Sequence, residues 1–255
     1  MNQELLKQIE NVVGEIYSIS KLEEQGCTSI VQKISALSGN FILKSSSEDR
    51  YREWLETEAQ VLKKLVKQTK ISVPHYYGFI KEEDKSHLLM SFEEGISLTT
   101  ALEHANFQEK LALIKSFGSF INQLHELGPI NSLNHDNNWL DVQLKIAEQN
   151  LEQGGVDGNI QLLDKLISHK PLPVKQTVIH GDCTTDNVLV IHGEVKMFID
   201  VSGMAVGDPR YDESLAIGRL KQNPEYLNAF YEGYTRYKVS NDEYSYFDEG
   251  LYEFF

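Results

Sequence analysis

The hydrophobic period of this chain shifts from mainly strand-like to mainly helical near Ser97, and the shift limits what it can fold into. Before that point the pattern is mostly that of strands. Glu15 to Ile19, Ser29 to Ala36 and Asn40 to Lys44 are β-branched or alternating, with Ser38-Gly39-Asn40 supplying turn chemistry between the last two. Ser45 to Glu48 reads as a capping start. Tyr51, Trp54, Leu55, Leu62, Leu65 and Val66 then recur at helical spacing, which predicts an amphipathic helix from Ser47 to about Gln68 with Glu58 on its apolar stripe. Val73-Pro74 breaks the pattern, and Tyr77 to Lys81 and His87 to Phe92 read as two further strands around a polar turn.

Beyond Ser97 the period is helical. Phe107 through Leu124 and Asn137 to Glu152 mark two helices. Short apolar strands follow at Thr177 to Ile179, Val188 to Ile191 and Lys196 to Ile199, and helical spacing resumes from about Asp208 to Tyr237. The expectation is an α+β chain of two lobes without a linker, 1–92 and 93–255: a small N-terminal antiparallel sheet with one helix, then a larger, mainly helical lobe.

At 255 residues there is room for little more than one domain. No apolar run reaches the roughly 18 residues of a membrane span, and MNQELLKQIE lacks the basic and apolar regions of a signal peptide, so a cytoplasmic protein is expected. A formal charge of −14 opposes nucleic acid and anionic membrane as partners and favours cationic ligands. Two cysteines, Cys27 and Cys183, make neither a disulfide framework nor a zinc knuckle.

The chemistry concentrates in Val178-Ile-His-Gly-Asp-Cys-Thr-Thr-Asp-Asn187 and Met197-Phe-Ile-Asp200, where two acids and an amide follow strands. Asp182 precedes Asn187 by the five residues that separate base and metal ligand in a kinase catalytic loop. Phosphoryl transfer needs a carboxylate beside the acceptor hydroxyl and hard oxygen ligands for magnesium. Asp182 suits the first role, Asn187 and Asp200 the second. Lys44 ends a strand as a phosphate-pairing lysine does, and Glu58 one helix later is its natural partner, since an unpaired Glu on an apolar face costs several kcal/mol. Gln25-Gly-Cys-Thr-Ser-Ile30 has one Gly where protein kinases have a Gly-rich loop, leaving the hydroxyls and amides of Thr28 and Ser29 to cradle phosphate. A rival reading takes His180, Asp182 and His192 as a metal hydrolase site, but leaves Lys44 and Glu58 unexplained.

Only 55 residues follow Asp200, with no A-P-E motif and Val201-Ser202 after the Asp, so there is no room for a peptide platform. Over nearly its whole length the chain resembles the aminoglycoside phosphotransferase family, small-molecule kinases on the protein-kinase fold. The resemblance is carried by Lys44, Glu58, Leu88-Leu-Met-Ser-Phe-Glu-Glu-Gly95, Leu124-His125, His180-Gly-Asp-x4-Asn187, Phe198-Ile-Asp200 and Gly207-Asp-x-x-Tyr-Asp212. It implies ATP, or GTP, with Mg2+. It places adenine on the backbone near Ser91 and Glu93, with Met90 behind the pocket and Ile42 over the base; both apolar residues are equally suited to a plain core.

The nearest pattern is that of the aminoglycoside 3'-phosphotransferases, whose chains end in an acid followed by aromatics, as Tyr252-Glu-Phe-Phe255 does. That likeness assigns drug ammonium groups to Glu249, Glu253 and the terminal Phe255, with Asp186 and Arg219 as further substrate contacts. Residues 241–255 hold five acids and no Lys or Arg. Thr185 stands where the family carries an acid after the catalytic Asp. The expected acceptor is an aminoglycoside antibiotic, with resistance as the implied role. A macrolide, choline, homoserine or a sugar are the alternatives.

Overall fold

In the computed structural model, residues 2–26, 28–66, 70–134 and 138–255 are described, so Cys27, Gln68 and Asn137 lie outside the described residues. The chain forms two compact units. Residues up to Glu94, together with Phe198–Ser202, make the first; Gly95–Met197 and Gly203–Phe255 make the second. The chain therefore passes from one unit to the other three times, after Glu94, after Met197 and after Ser202, because Phe198–Ser202 packs with the N-terminal residues.

The first unit begins with a helix, α1 (Gln3–Val13), capped by the Asn2 side chain, which accepts from the Leu5 N–H at 2.8 Å, and ended by Gly14. Five strands follow: β1 (Ile16–Lys21), β2 (Ile30–Ala36), β3 (Gly39–Ser46) and, after α2 (Asp49–Leu65), β4 (Tyr76–Lys81) and β5 (Ser86–Ser91). They form one antiparallel sheet in the order β1-β2-β3-β5-β4. Among the described residues the unit has two helices, one more than the sequence pattern suggested, because Leu5, Ile9 and Val13 bury one stripe of α1 against Ile34, Phe41, Leu43 and Leu89. Alternation along β3 sends Ile42 and Lys44 to the opposite face, where Ile42 pairs with Met90 and Lys44 with Leu88. With both faces covered, β3 is apolar from Phe41 to Leu43, just before the lysine.

The second unit runs through β6 (Ile96–Ser97), α3 (Leu98–His104), α4 (Phe107–Glu126), α5 (Trp139–Gln153), α6 (Ile160–Ser168), β7 (Thr177–Ile179), β8 (Val188–Ile191) and β9 (Glu194–Phe198) to β10 (Ala205–Gly207), α7 (Pro209–Ile217), α8 (Pro224–Gly233) and α9 (Asn241–Phe247). β6 pairs with β8, and β10 with β7. One core gathers Trp139, Leu144, Leu163, Leu166, Tyr211, Leu215 and Phe247 around Leu251 and Phe254 of the last turn, Leu251–Phe254. No helix among the described residues is long and apolar enough to cross a membrane.

Helices α4 and α8 approach closely enough that glycine is required on both. A Cβ on Gly118 would stand 2.2 Å from the Phe230 carbonyl oxygen, and one on Gly233 would stand 2.1 Å from that of Lys115. Gly118→Ala is expected to lower stability by about 1–3 kcal/mol, read as a lower denaturation midpoint, because two backbones must separate.

Helix α7 is buried throughout, yet it carries Arg210, Asp212 and Glu213. Arg210 is satisfied by Asp208 at 2.7 and 3.0 Å, Glu243 at 2.6 Å and the Leu172 carbonyl at 2.9 Å. Glu213 uses one oxygen, accepting from the Tyr231 hydroxyl at 2.9 Å and the Val239 N–H at 2.7 Å; its other oxygen has no partner. Burial pushes its carboxyl up to about 7, against an ordinary value of 4.5. The folded protein therefore holds this proton where the unfolded chain has lost it. Stability is expected to fall as pH rises from about 4.5 to about 7, by up to about 3 kcal/mol. Glu213→Gln should remove that part of the slope in denaturation curves taken across this range.

Candidate active site

In the first unit Lys44 does not end its strand as the sequence pattern suggests, since β3 runs on through Ser45 and Ser46, and its ammonium meets two carboxylates. Lys44 Nζ donates to Glu58 Oε1 at 2.9 Å and Oε2 at 3.0 Å, and also to Asp200 Oδ1. The side chains of Lys44 and Glu58 are 8% and 6% exposed, whereas that of Asp200 is 44% exposed. Strand β3 faces Lys44 away from α1, and α2 carries Glu58 on its buried stripe beside Leu55, Ala59 and Leu62. The Phe198 N–H donates to the Ser72 carbonyl at 3.0 Å, fastening the returning segment that brings Asp200. Asp200 has φ of +56°, a left-handed backbone that a non-glycine residue adopts only at a cost of about 1–2 kcal/mol.

The other expected nucleotide residues of this unit are mainly occupied with the sheet. Ile42 and Met90 are buried and directly opposed. The Ser91 N–H is committed to the His75 carbonyl at 2.9 Å, so it is spent on the sheet and not free for a base. The Ser91 hydroxyl accepts from the His75 N–H at 2.8 Å and donates to Glu93 Oε1 at 2.5 Å. The Thr28 carbonyl accepts from the Ser46 hydroxyl at 2.8 Å, and the Ser29 hydroxyl lies 2.6 Å from that Ser46 hydroxyl. Ser45 does not cap α2; its hydroxyl lies 2.7 Å from His87 Nδ1, and the cap position falls to Glu48, whose side chain makes no capping bond.

In the second unit, β7 delivers His180 to a loop held by the buried Asp212. Its Oδ2 accepts from the His180 N–H at 2.6 Å and its Oδ1 from the Gly181 N–H at 2.8 Å, while His125 Nε2 lies 3.1 Å from Oδ2. Gly181 has φ of +86°, and a Cβ there would stand 2.2 Å from the Gly203 carbonyl oxygen, so only glycine fits. The loop then presents Asp182. Asn187 Nδ2 donates to the Asp182 carbonyl at 2.9 Å and to its Oδ2 at 2.7 Å. Both amide hydrogens are thereby spent, and the amide oxygen is the group Asn187 has left to offer a cation.

Tyr252 is the residue that the sequence reading missed: its hydroxyl donates to Asp182 Oδ1 at 2.9 Å from 70 residues away. Burial, followed by the charge of Asp182, pushes this phenol well above its ordinary range. Asp186 and Arg219, both expected to contact substrate, meet each other at 3.0 Å in an exposed ion pair, and Thr99 and Thr185 join hydroxyls at 2.7 Å beside them. Glu249 accepts from the Ser245 hydroxyl at 2.6 Å, and Phe255 is partly exposed. Burial raises the Glu253 carboxyl, and the like charges of Asp157 and Asp248 raise it further. Asp248 is raised by burial and by Glu249. Among the described residues no group of three or more His, Cys, Asp or Glu is arranged to hold a metal ion, so the grouping of His180, Asp182 and His192 as a hydrolase centre gains no geometry.

The profile of the phosphotransferase enzyme family matches residues 31–245. Among curated proteins, an aminoglycoside 3'-phosphotransferase of Escherichia coli is 23% identical over 220 residues, 80% of this chain and 76% of that protein. Among solved structures, aminoglycoside-3'-phosphotransferase of type VIII superposes with a TM-score of 0.76 at 19% identity, covering 99% of this chain and 98% of that one. Choline kinase LicA from Streptococcus pneumoniae gives a TM-score of 0.69 at 13% identity, covering 99% and 88%. These likenesses establish the expected α+β, protein-kinase-like architecture of two lobes.

Lys44→Met would leave Glu58 buried without a counter-charge. It is expected to cost about 3–5 kcal/mol in denaturant unfolding, and adding Glu58→Gln should recover much of that loss.

Proposed function

On the premise that this chain belongs to the phosphotransferase enzyme family, we propose that it transfers the terminal phosphoryl group of MgATP to a hydroxyl of an aminoglycoside. The enzyme class, phosphate transfer, follows from the family; donor, metal and acceptor belong to the proposal. The observation that carries it is the buried ammonium of Lys44 between Glu58 and Asp200. One positive and two negative groups leave a net charge of −1 in a mostly buried place, with the exposed carboxylate offering hard oxygen. That set fits a divalent cation carrying phosphates.

In this reading Lys44 pairs with the nucleotide phosphates and Glu58 orients it. The Asp200 carboxylate and the Asn187 amide oxygen are the groups that would hold magnesium, which would supply positive charge for the transferring phosphoryl group. Ile42 and Met90 supply apolar surface for the base, and the segment from Ser91 to Glu93 supplies its backbone. Thr28 and Ser29 lie on the loop that covers the phosphates, with GTP as the alternative donor. The Asp182 carboxylate accepts a hydrogen bond from the acceptor hydroxyl and takes its proton as the phosphoryl group arrives.

The acceptor class rests on charge. Asp157 and Asp248 raise the proton affinity of Glu253, and Glu249 raises that of Asp248; a polyamine would relieve that repulsion, so Glu249, Glu253 and the last residue, Phe255, are assigned to ammonium groups. Asp186 and Arg219 border the same loop as a neutralised pair. ATP as donor puts the reaction in the cytoplasm, and antibiotic resistance is the role that goes with this acceptor.

ADP release from MgATP should rise on adding aminoglycosides, and Asp182→Asn should lower kcat by about 10²- to 10⁴-fold. Near-normal turnover by that variant would remove Asp182 from the role of base. Stimulation by choline alone would keep the transfer chemistry and replace the acceptor.

A further inference from the structure

We propose that Tyr252 is a positioning residue for Asp182, holding its carboxylate in the orientation that receives the acceptor hydroxyl. The inference rests on the reading of Asp182 as the base. Both oxygens of that carboxylate have a donor: Oδ2 takes the Asn187 amide at 2.7 Å, and Oδ1 takes the Tyr252 hydroxyl at 2.9 Å. One donor leaves a carboxylate free to turn about the bond that joins it to the chain. Two donors on opposite oxygens remove that freedom. Each oxygen retains a second lone pair for an incoming hydroxyl, so the phenol positions without filling the site.

The phenol is itself held. Leu251 and Phe254, on either side of Tyr252 in the last turn, are fully buried. The Glu253 carbonyl accepts from the Gly158 N–H at 2.8 Å, and the Phe254 carbonyl accepts from Asn150 Nδ2 at 2.9 Å. The Tyr252 ring meets Tyr211 edge-on at 6.5 Å between centroids, and Tyr211 neighbours Asp212, which grips the start of the catalytic loop. A tyrosine at this place stays a neutral donor, whereas a carboxylate would repel Asp182. A small misalignment of a catalytic group costs rate and leaves binding nearly untouched.

The test compares the full chain, Tyr252→Phe and Asp182→Asn in MgATP turnover, with kanamycin A and with water as the only acceptor. Tyr252→Phe keeps the ring and removes one donor. The expected result is kcat lower by about tenfold with KM for ATP and kanamycin A within about twofold of wild type. As a second readout, 3-fluorotyrosine at position 252 should give a fluorine resonance that shifts when Asp182→Asn is added. Wild-type kcat in Tyr252→Phe, a rise in KM alone, or an unmoved fluorine resonance would overturn the positioning role. Wild-type turnover by Asp182→Asn would instead overturn the reading of Asp182 as base, so the two failures are told apart.

Discussion

The ammonium of Lys44, shared by Glu58 and Asp200, is the interaction on which the first unit is arranged. A buried charge is tolerated only with compensating partners, and each partner here imposes a demand on the fold. Strand β3 must turn Lys44 to the face opposite α1, which the alternation Phe41, Ile42, Leu43, Lys44 achieves. Helix α2 must carry an acid on its buried stripe. The chain must also return to the first unit after Met197, because Asp200 arrives from a segment far away in sequence. Its left-handed backbone is a strain that the fastening of Phe198 to Ser72 helps to sustain.

The second unit solves a different problem, that of holding a polar loop still inside a helical core. Asp212 does most of this by accepting two consecutive backbone N–H groups, with His125 bridging it to the Tyr234 hydroxyl at 2.9 Å. Gly181 allows the loop to pass Gly203 with no side chain between them. Asn187 and Tyr252 then fix the side chain of Asp182, one from within the loop and the other from the last turn of the chain. The rigid helices thus serve a carboxylate whose usefulness depends on its direction.

Much of this was legible because it is local or strongly patterned. The five-residue interval from Asp182 to Asn187, the lysine that follows the apolar run Phe41 to Leu43 and the acid on a helical stripe are short-range signals with a physical reason for their residue types. Contacts between distant residues left no such signal. Tyr252 is an ordinary aromatic until the last turn folds beside Asp182, and the pairing of Asp186 with Arg219 depends on how α7 leads into the segment that carries Arg219. Helix α1 was overlooked although Asn2, Leu5, Ile9 and Val13 carry a cap and a one-sided stripe, because the surrounding strands dominate that region. The capping start read at Ser45 to Glu48 does not form, for a tertiary reason: Ser45 belongs to β3 and spends its hydroxyl on His87.

The most direct test of the Lys44 arrangement as a nucleotide centre is calorimetric titration of ADP, with and without magnesium, into the wild-type chain and Asp200→Asn. Magnesium should strengthen ADP binding to the wild type, and Asp200→Asn should lose that gain while keeping its magnesium-free affinity. An undiminished gain from magnesium in Asp200→Asn would contradict the assignment of Asp200 as the metal's carboxylate.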